Sequence, residues 1–387
     1  MRTRRSRIPV LGAALVSLLL GACGGGGSDT APAASVTSVK VMGDSLADSG
    51  TFGFKFTVQG ADSKIYPERI AASYNLPALC NAYTATSATT FIPNPTQTGC
   101  TNYAIGGGRI NNYSAPTSPV SIIQQLKEAS ASANYSAGDL LVIDGGGNDA
   151  ADLVGAFLNA ANDGGASYAG LLGTLLPSAT VGAAAAQGQT GLEAVGATYM
   201  TALADAFAAA IQTSALDKGA QRIALLNMPG ITNTPRFQMV LDGIAAAYGG
   251  GDAGAAARAH SLSVFSSWIV AFNTELAAKF AGVSQVAVVD FYASFNDEVA
   301  NPASYSLQNV TTPVCPITGV GSDGLPTYTF PTCTDAALSA TTPPAGATGG
   351  AGWWKSYAFA DSFHPTPYGH DLLARYISRA LATAGWL

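Results

Sequence analysis

Val39-Lys40-Val41-Met42-Gly43-Asp44-Ser45-Leu46 is an apolar run that breaks into a Gly-Asp-Ser turn. Three further short apolar runs resemble it: Leu140 to Ile143, Ile223 to Leu226 and Val286 to Val289. Strands that lack alternation are buried on both faces and belong to parallel sheets covered by helices. Segments with apolar residues at helical spacing lie between these runs: Pro67 to Tyr74, Val120 to Ala129, Leu192 to Leu216 and Leu262 to Phe280. A last helix is expected over Pro367 to Trp386, with Pro367 suited to its first turn. Alternating strand and helix give an α/β class with a central parallel sheet. Such sheets carry ligands at the carboxyl ends of their strands. Ser45 follows the first run, Asn148 follows the Leu140 run, and Gly106 and Gly107 follow a strand-like stretch from Thr101 to Ile105. All three positions therefore fall on one rim.

The same positions carry chemistry. A serine hydroxyl is a poor nucleophile until a base takes its proton. Ser45, at a strand end leading into a turn, is the candidate nucleophile, with backbone N–H groups beside it. Asp361-Ser362-Phe363-His364-Pro365 supplies the base: the spacing lets Asp361 reach the His364 ring, fix its tautomer and leave the other nitrogen for Ser45. A backbone carbonyl is the alternative orienting group. His260, among Ala and Arg in a helix-like stretch, and His370, inside the terminal helix, are weaker bases by position. A glycine N–H approaches a developing alkoxide without hindrance, and an Asn amide is a neutral donor. Gly107 and Asn148 are therefore candidate oxyanion donors, with Gly106 as the alternative to Gly107. Phe52, Phe54, Phe56, Trp353 and Trp354 are candidates for an acyl pocket or for packing.

Length allows two domains, but the first and last of these blocks must meet at one site, so a single domain over 38–387 is expected. Four segments interrupt the frame: Ala78 to Cys100, Gly164 to Gly191, the Gly-rich turn Gly249 to Gly254, and Ala300 to Gly352. Insertions of this length are usually functional, and some are expected to wall the substrate cleft. Cys80, Cys100, Cys315 and Cys333 form an even set with three possible pairings. Local pairing, Cys80 with Cys100 and Cys315 with Cys333, would staple one insertion each.

Arg2, Arg4, Arg5 and Arg7 precede a short apolar run, Leu11 to Leu20, ending in Leu20-Gly21-Ala22-Cys23. The run is too short to span a membrane and reads as a signal peptide over 1–22. It resembles a bacterial lipoprotein signal, which implies lipidation of Cys23; cleavage after Ala22 for simple secretion is the alternative. Residues 23–37 read as a flexible tether. By that resemblance, Gly24 after the Cys favours the outer membrane. Loss of the signal removes four Arg and no acid, taking the net charge from −6 to −10. No basic stripe remains for nucleic acid. Gly249 to Gly254 matches Gly-x-Gly-x-x-Gly but follows no strand, so it is not read as a dinucleotide site. Three scattered His and no clustered Cys argue against zinc.

Gly43-Asp44-Ser45-Leu46-Ala47-Asp48-Ser49-Gly50, Asn102 to Gly108, Gly146-Gly147-Asn148-Asp149 and Asp361 to Thr366 together resemble the SGNH (GDSL-type) serine esterases and lipases. Asn227-Met228-Pro229 with Thr234-Pro235-Arg236-Phe237, and Asn309 to Cys315, are similar to further blocks of its larger members, in the phospholipase/lecithinase/hemolysin branch. The resemblance implies a flavodoxin-like three-layer α/β/α fold and no metal or cofactor. It also implies an oxyanion hole from the Ser45 and Gly107 N–H groups and the Asn148 side chain. Some related enzymes end in a membrane β-barrel; this sequence ends after its last expected helix, so a lipid anchor is expected to replace it. The expected activity is hydrolysis of carboxylic esters, lipid-like by branch. Its rivals are a carbohydrate O-acetyl esterase and an anchored binding protein without turnover. Replacing Cys23 by Ala should abolish lipid labelling and move the chain out of the membrane fraction; unchanged fractionation would sink the anchor.

Overall fold

Val41 and Met42 are fully buried, as are all residues from Leu140 to Ile143, because both faces of the sheet they build are covered. The computed structural model describes residues 35–131 and 133–387. The signal segment, Cys23 and the tether up to residue 34 lie outside the described residues. Four strands, Ser38–Met42, Asp139–Ile143, Ile223–Leu226 and Val286–Val289, pair in parallel and in chain order. Val41 lies opposite Val142, Val142 opposite Ala224, and Ala224 opposite Ala287. Val286 to Val288 are only half-buried because the fourth strand is an edge.

The expected strand at Thr101 to Ile105 is present as isolated parallel bridges from Asn102 to Val41 on one side and to Asn81 on the other. The Val41 N–H donates to Thr101 O at 2.9 Å and the Tyr103 N–H to Val41 O at 2.8 Å. With this stretch on the outer edge of the first strand, the chain order across the sheet is second, first, third, fourth, fifth. That is the flavodoxin-like order, whose ligand crevice opens where the winding reverses, beside the first strand.

Side chains alternate between two cores. Met42, Leu141, Ile143, Ile223 and Leu225 pack on one face with helices Ile122–Ala129, Gly147–Asp163, Gly188–Ser214 and Gly251–Lys279. Val39, Val41, Leu140, Val142, Ala224 and Leu226 pack on the other with Tyr66–Ser73, Phe291–Ala300 and Pro367–Thr383. Gly188–Ser214 is long and apolar enough to cross a membrane, but Tyr199, Leu203, Phe207 and Ile211 are buried in the first core. Local signals set helix starts. Ser121 accepts the Gln124 N–H, Asp290 accepts the Ala293 N–H, and Thr366 accepts the Gly369 N–H ahead of Pro367.

The insertions differ in character. Gly164 to Gly191 is largely helical, with helices Ala166–Leu172 and Ser178–Ala186 between glycines. Gly249 to Gly254 is the turn into Gly251–Lys279, which joins two helices. The other two segments hold hairpins, Tyr83–Ala85 with Phe91–Pro93 and Ile317–Val320 with Pro326–Tyr328. Each contains one of the expected disulfides, Cys80–Cys100 and Cys315–Cys333. A third small core forms around Cys315, Cys333, Phe330, Trp353 and Trp354.

Glu298 is buried in helix Phe291–Ala300, and its Oε1 has no hydrogen-bond partner among the described residues. Burial pushes its carboxyl from an ordinary 4.5 up to about 7, opposed by the Tyr376 hydroxyl and reinforced by Asp297. The folded state therefore favours the neutral acid. That stability is fully present below pH 4.5 and is lost as pH rises through 7. Glu298→Gln should unfold at higher urea than the parent above pH 7, by up to about 3 kcal/mol, and lack its decline between acid and neutral pH. Parallel pH curves for the two proteins would contradict this.

Candidate active site

Gly43, where the first strand ends, is gripped by a side chain from the helix beside it. Gln125 is fully buried. Its Oε1 accepts the Gly43 N–H at 2.8 Å and its Nε2 donates to Gly43 O at 3.1 Å. Asp144, at the end of the second sheet strand, accepts the Asp44 N–H at 3.1 Å and the Tyr66 hydroxyl at 2.8 Å. A Cβ on Gly43 would fall 1.7 Å from Asp144 Oδ1, so no larger residue fits. The turn that follows presents the Ser45 hydroxyl to the rim.

The Asp361 to Pro365 stretch meets it there. His364 Nε2 lies 2.8 Å from Ser45 Oγ, and His364 Nδ1 lies 2.8 Å from Asp361 Oδ2. The other Asp361 oxygen accepts the N–H groups of Phe363 at 2.8 Å and His364 at 2.6 Å. Burial alone would raise the Asp361 carboxyl, but the adjacent imidazole and these hydrogen bonds hold it below its ordinary value. It is therefore a carboxylate facing an imidazole. The other histidines lie elsewhere. His260 bonds Glu193 on the surface at 3.0 Å. His370 is buried, its Nδ1 accepts the Tyr66 N–H at 3.4 Å, and burial drives its pKa down to about 3.

The Gly106 to Gly108 loop is tied to the Ser45 turn by Asp48. This buried carboxylate accepts the Gly50 and Thr51 N–H groups on one oxygen and the Gly106 N–H, at 2.8 Å, on the other. The Gly106 donor is thus occupied, whereas the N–H groups of Gly107 and Ser45 have no protein acceptor among the described residues. Asn102 reinforces the link, donating to Ala47 O at 2.8 Å. Arg109 donates to Gly107 O at 2.7 Å and pairs with Asp152 through two hydrogen bonds, of 2.5 and 3.0 Å.

Asn148 stands in the first turn of helix Gly147–Asp163, where the dipole favours negative charge. Its Nδ2 donates to Gly108 O at 2.9 Å and otherwise approaches only Asp44, at 3.5 Å. Asp149 turns inward and accepts the Ile110 and Asn111 N–H groups. Burial raises its carboxyl to about 6 against those hydrogen bonds. Ser45, Gly107, Asn148, His364 and Asp361 are thus gathered on one rim, as the block order anticipates.

The family model for GDSL-like lipases/acylhydrolases matches residues 39–377, from the first strand into the last helix. The chain belongs to this family. No curated protein matches it. As a GDSL-like lipase/acylhydrolase it is an ester hydrolase. The stretches Asn227 to Phe237 and Asn309 to Cys315 are tied into the surroundings of the site. Asn273 holds both backbone groups of Met228, each at 2.8 Å, and the Arg236 N–H donates to Ser362 O at 2.8 Å. Val314 and Cys315 donate their N–H groups to Phe359 O and Ala360 O. Trp353 and Trp354 are buried in the third core, and the Trp353 indole donates to Leu338 O, so they are packing residues.

Gln125, Asp144 and Tyr66 were not legible as site residues. Gln125 stands in a helix-like stretch with no motif around it, and only the fold carries it to Gly43. Gln125→Met keeps the volume but strips the buried Gly43 N–H of its acceptor, at about 1–3 kcal/mol, and leaves Gly43 O only the Ile105 N–H at 3.3 Å. The variant should unfold at lower urea and hydrolyse esters at least about tenfold more slowly, with the loss in kcat. Unchanged kcat would contradict a holding role for Gln125.

Proposed function

We propose that this chain hydrolyses carboxylic esters through an acyl-enzyme on Ser45, and that its substrates are lipid-like. The observation that carries this reading is the unbroken path from Ser45 Oγ through both His364 ring nitrogens to Asp361. In this mechanism His364 takes the hydroxyl proton as Oγ bonds to the ester carbonyl carbon. The carbonyl π pair moves to oxygen as an alkoxide, which the Ser45 and Gly107 N–H groups and the Asn148 amide receive. Asp361 keeps the ring in the tautomer with hydrogen on Nδ1 and stabilises the imidazolium. The alkoxide collapses, the C–O bond to the alcohol breaks, and His364 gives its proton to that oxygen. Water, deprotonated by the same ring, then displaces Ser45 and releases the acid.

Export to the cell envelope and a lipid anchor at Cys23 form part of the same proposal. The Cys80–Cys100 and Cys315–Cys333 disulfides support it, since such bonds persist in oxidising compartments.

A fluorophosphonate should label the native chain at Ser45 and leave Ser45→Ala unlabelled. Ser45→Ala and His364→Ala should each lose about 10⁴-fold or more in kcat. Asn148→Ala should lose about 10²–10³-fold, the usual effect of removing one oxyanion donor. A folded native chain that takes no label would overturn the proposal.

A further inference from the structure

An ester held on Ser45 must lay its substituents against the surfaces around Ser45 and His364. Three differ in kind. Between the Ser45 turn and the Asp361 to Pro365 stretch is an apolar cavity walled by Leu46, Leu226, Phe291, Phe359 and Phe363, but its volume is only about 50 Å³. That is room for a few waters and not for an alkyl chain. Beside Arg109, past Gly107, an open groove of about 800 Å³ is lined by Asn112, Asp152, Asn159 and Ser167 and is polar.

The third surface, at Gly106, is aromatic. Phe52, Phe54 and Phe56 meet Phe91 from the first disulfide-bearing insertion and Phe330 from the second. Neighbouring ring centroids are 5.3 to 6.1 Å apart. The cluster reaches the reacting groups: Phe56 and Phe330 stand 5.2 and 5.6 Å from the His364 ring. Phe56 Cζ lies 2.2 Å from where a Gly106 Cβ would be, and Phe52 Cε2 lies 3.2 Å from it. Phe330 is buried, whereas Phe52, Phe54, Phe56 and Phe91 remain partly exposed. Contiguous exposed phenyl rings beside a reactive serine leave apolar surface to be covered, and the ester is the molecule that arrives there.

We propose that Phe52, Phe56, Phe91 and Phe330 form the subsite for the hydrocarbon part of the ester, so that the enzyme selects esters with a chain of several carbons there over their short-chain counterparts. This rests on the hydrolase reading above. Each methylene laid on the wall should raise kcat/KM by about fourfold.

The test compares p-nitrophenyl octanoate with p-nitrophenyl acetate, using enzyme whose active sites are counted with fluorophosphonate. A parallel series of hexyl against ethyl acetate varies the alcohol. The native enzyme should prefer the longer chain in at least one series. Phe52→Ser with Phe91→Ser should cut that long-to-short ratio of kcat/KM at least about tenfold. Phe52→Leu with Phe91→Leu, which keeps apolar surface, should cut it less than about threefold. The series that responds identifies whether the acid or the alcohol lies on the wall. Ratios unchanged in both series by Phe52→Ser with Phe91→Ser, or a native preference for the shorter chain in both series, would overturn the subsite while leaving the hydrolase standing. Absence of fluorophosphonate labelling would overturn both.

Discussion

The first strand is paired along both edges before it ends at Gly43, with Asp139–Ile143 on one side and the Asn102 bridge on the other. Parallel pairing brings the carboxyl ends of these stretches side by side, so the nucleophile turn, the oxyanion loop and the helix bearing Asn148 all leave the sheet in one direction. Short side-chain links then remove the remaining freedom. Asp48 reaches Gly106, Asn102 reaches Ala47, Asn148 reaches Gly108, and Asp149 reaches Ile110 and Asn111. His364, 319 residues beyond Ser45, is delivered by the packing of the terminal helix on the second core.

Five buried carboxyl groups share this small volume, and their surroundings separate them. Burial raises Asp44, Asp48, Asp144 and Asp149. Asp144 rises furthest from its ordinary range, because the Asp44 carboxyl adds repulsion to desolvation and the Tyr66 hydroxyl and one N–H offset only part of it. Asp361 is equally enclosed but faces an imidazole and two backbone donors, and it alone of the five is lowered. One carboxylate is thereby favoured in its charged form beside the ring, while burial and the Asp44 carboxyl disfavour the charged form of Asp144, which fastens the turn by accepting the Asp44 N–H and the Tyr66 hydroxyl. Divergent environments for like groups are the usual mark of an acid–base site.

Much of this was readable beforehand, for identifiable reasons. The four strand runs lie where the apolar stretches put them, since burial on both faces writes itself directly into composition. The site blocks were readable because the turns they occupy admit few residue types. Helix limits were less legible: Gly251–Lys279 begins eleven residues before the expected Leu262, because its first turns are Ala-rich and lack an apolar stripe. Pro235–Ala247 and Phe291–Ala300 were missed, each starting at a proline or aspartate signal close to a strand or a motif. The choice between Gly106 and Gly107 needed coordinates, because it turns on which N–H the Asp48 carboxylate already holds. The aromatic cluster was half-visible: Phe52, Phe54 and Phe56 are adjacent, but Phe91 and Phe330 join them only in space.

The two covalent staples sit outside the sheet, each closing one appended hairpin segment, and Phe91 and Phe330 ride on those segments. The proposed hydrocarbon wall therefore joins these appendages, through Phe91 and Phe330, to the segment that follows Ser45, through Phe52 and Phe56. The frame that aligns the reacting atoms is fastened from within, by buried amides and carboxyls, whereas the appendages keep their shape through their own sulfur bridges. Trading the first clipped loop would retune what the enzyme accepts, whereas the second also braces, through Val314 and Cys315, the backbone that leads into Asp361.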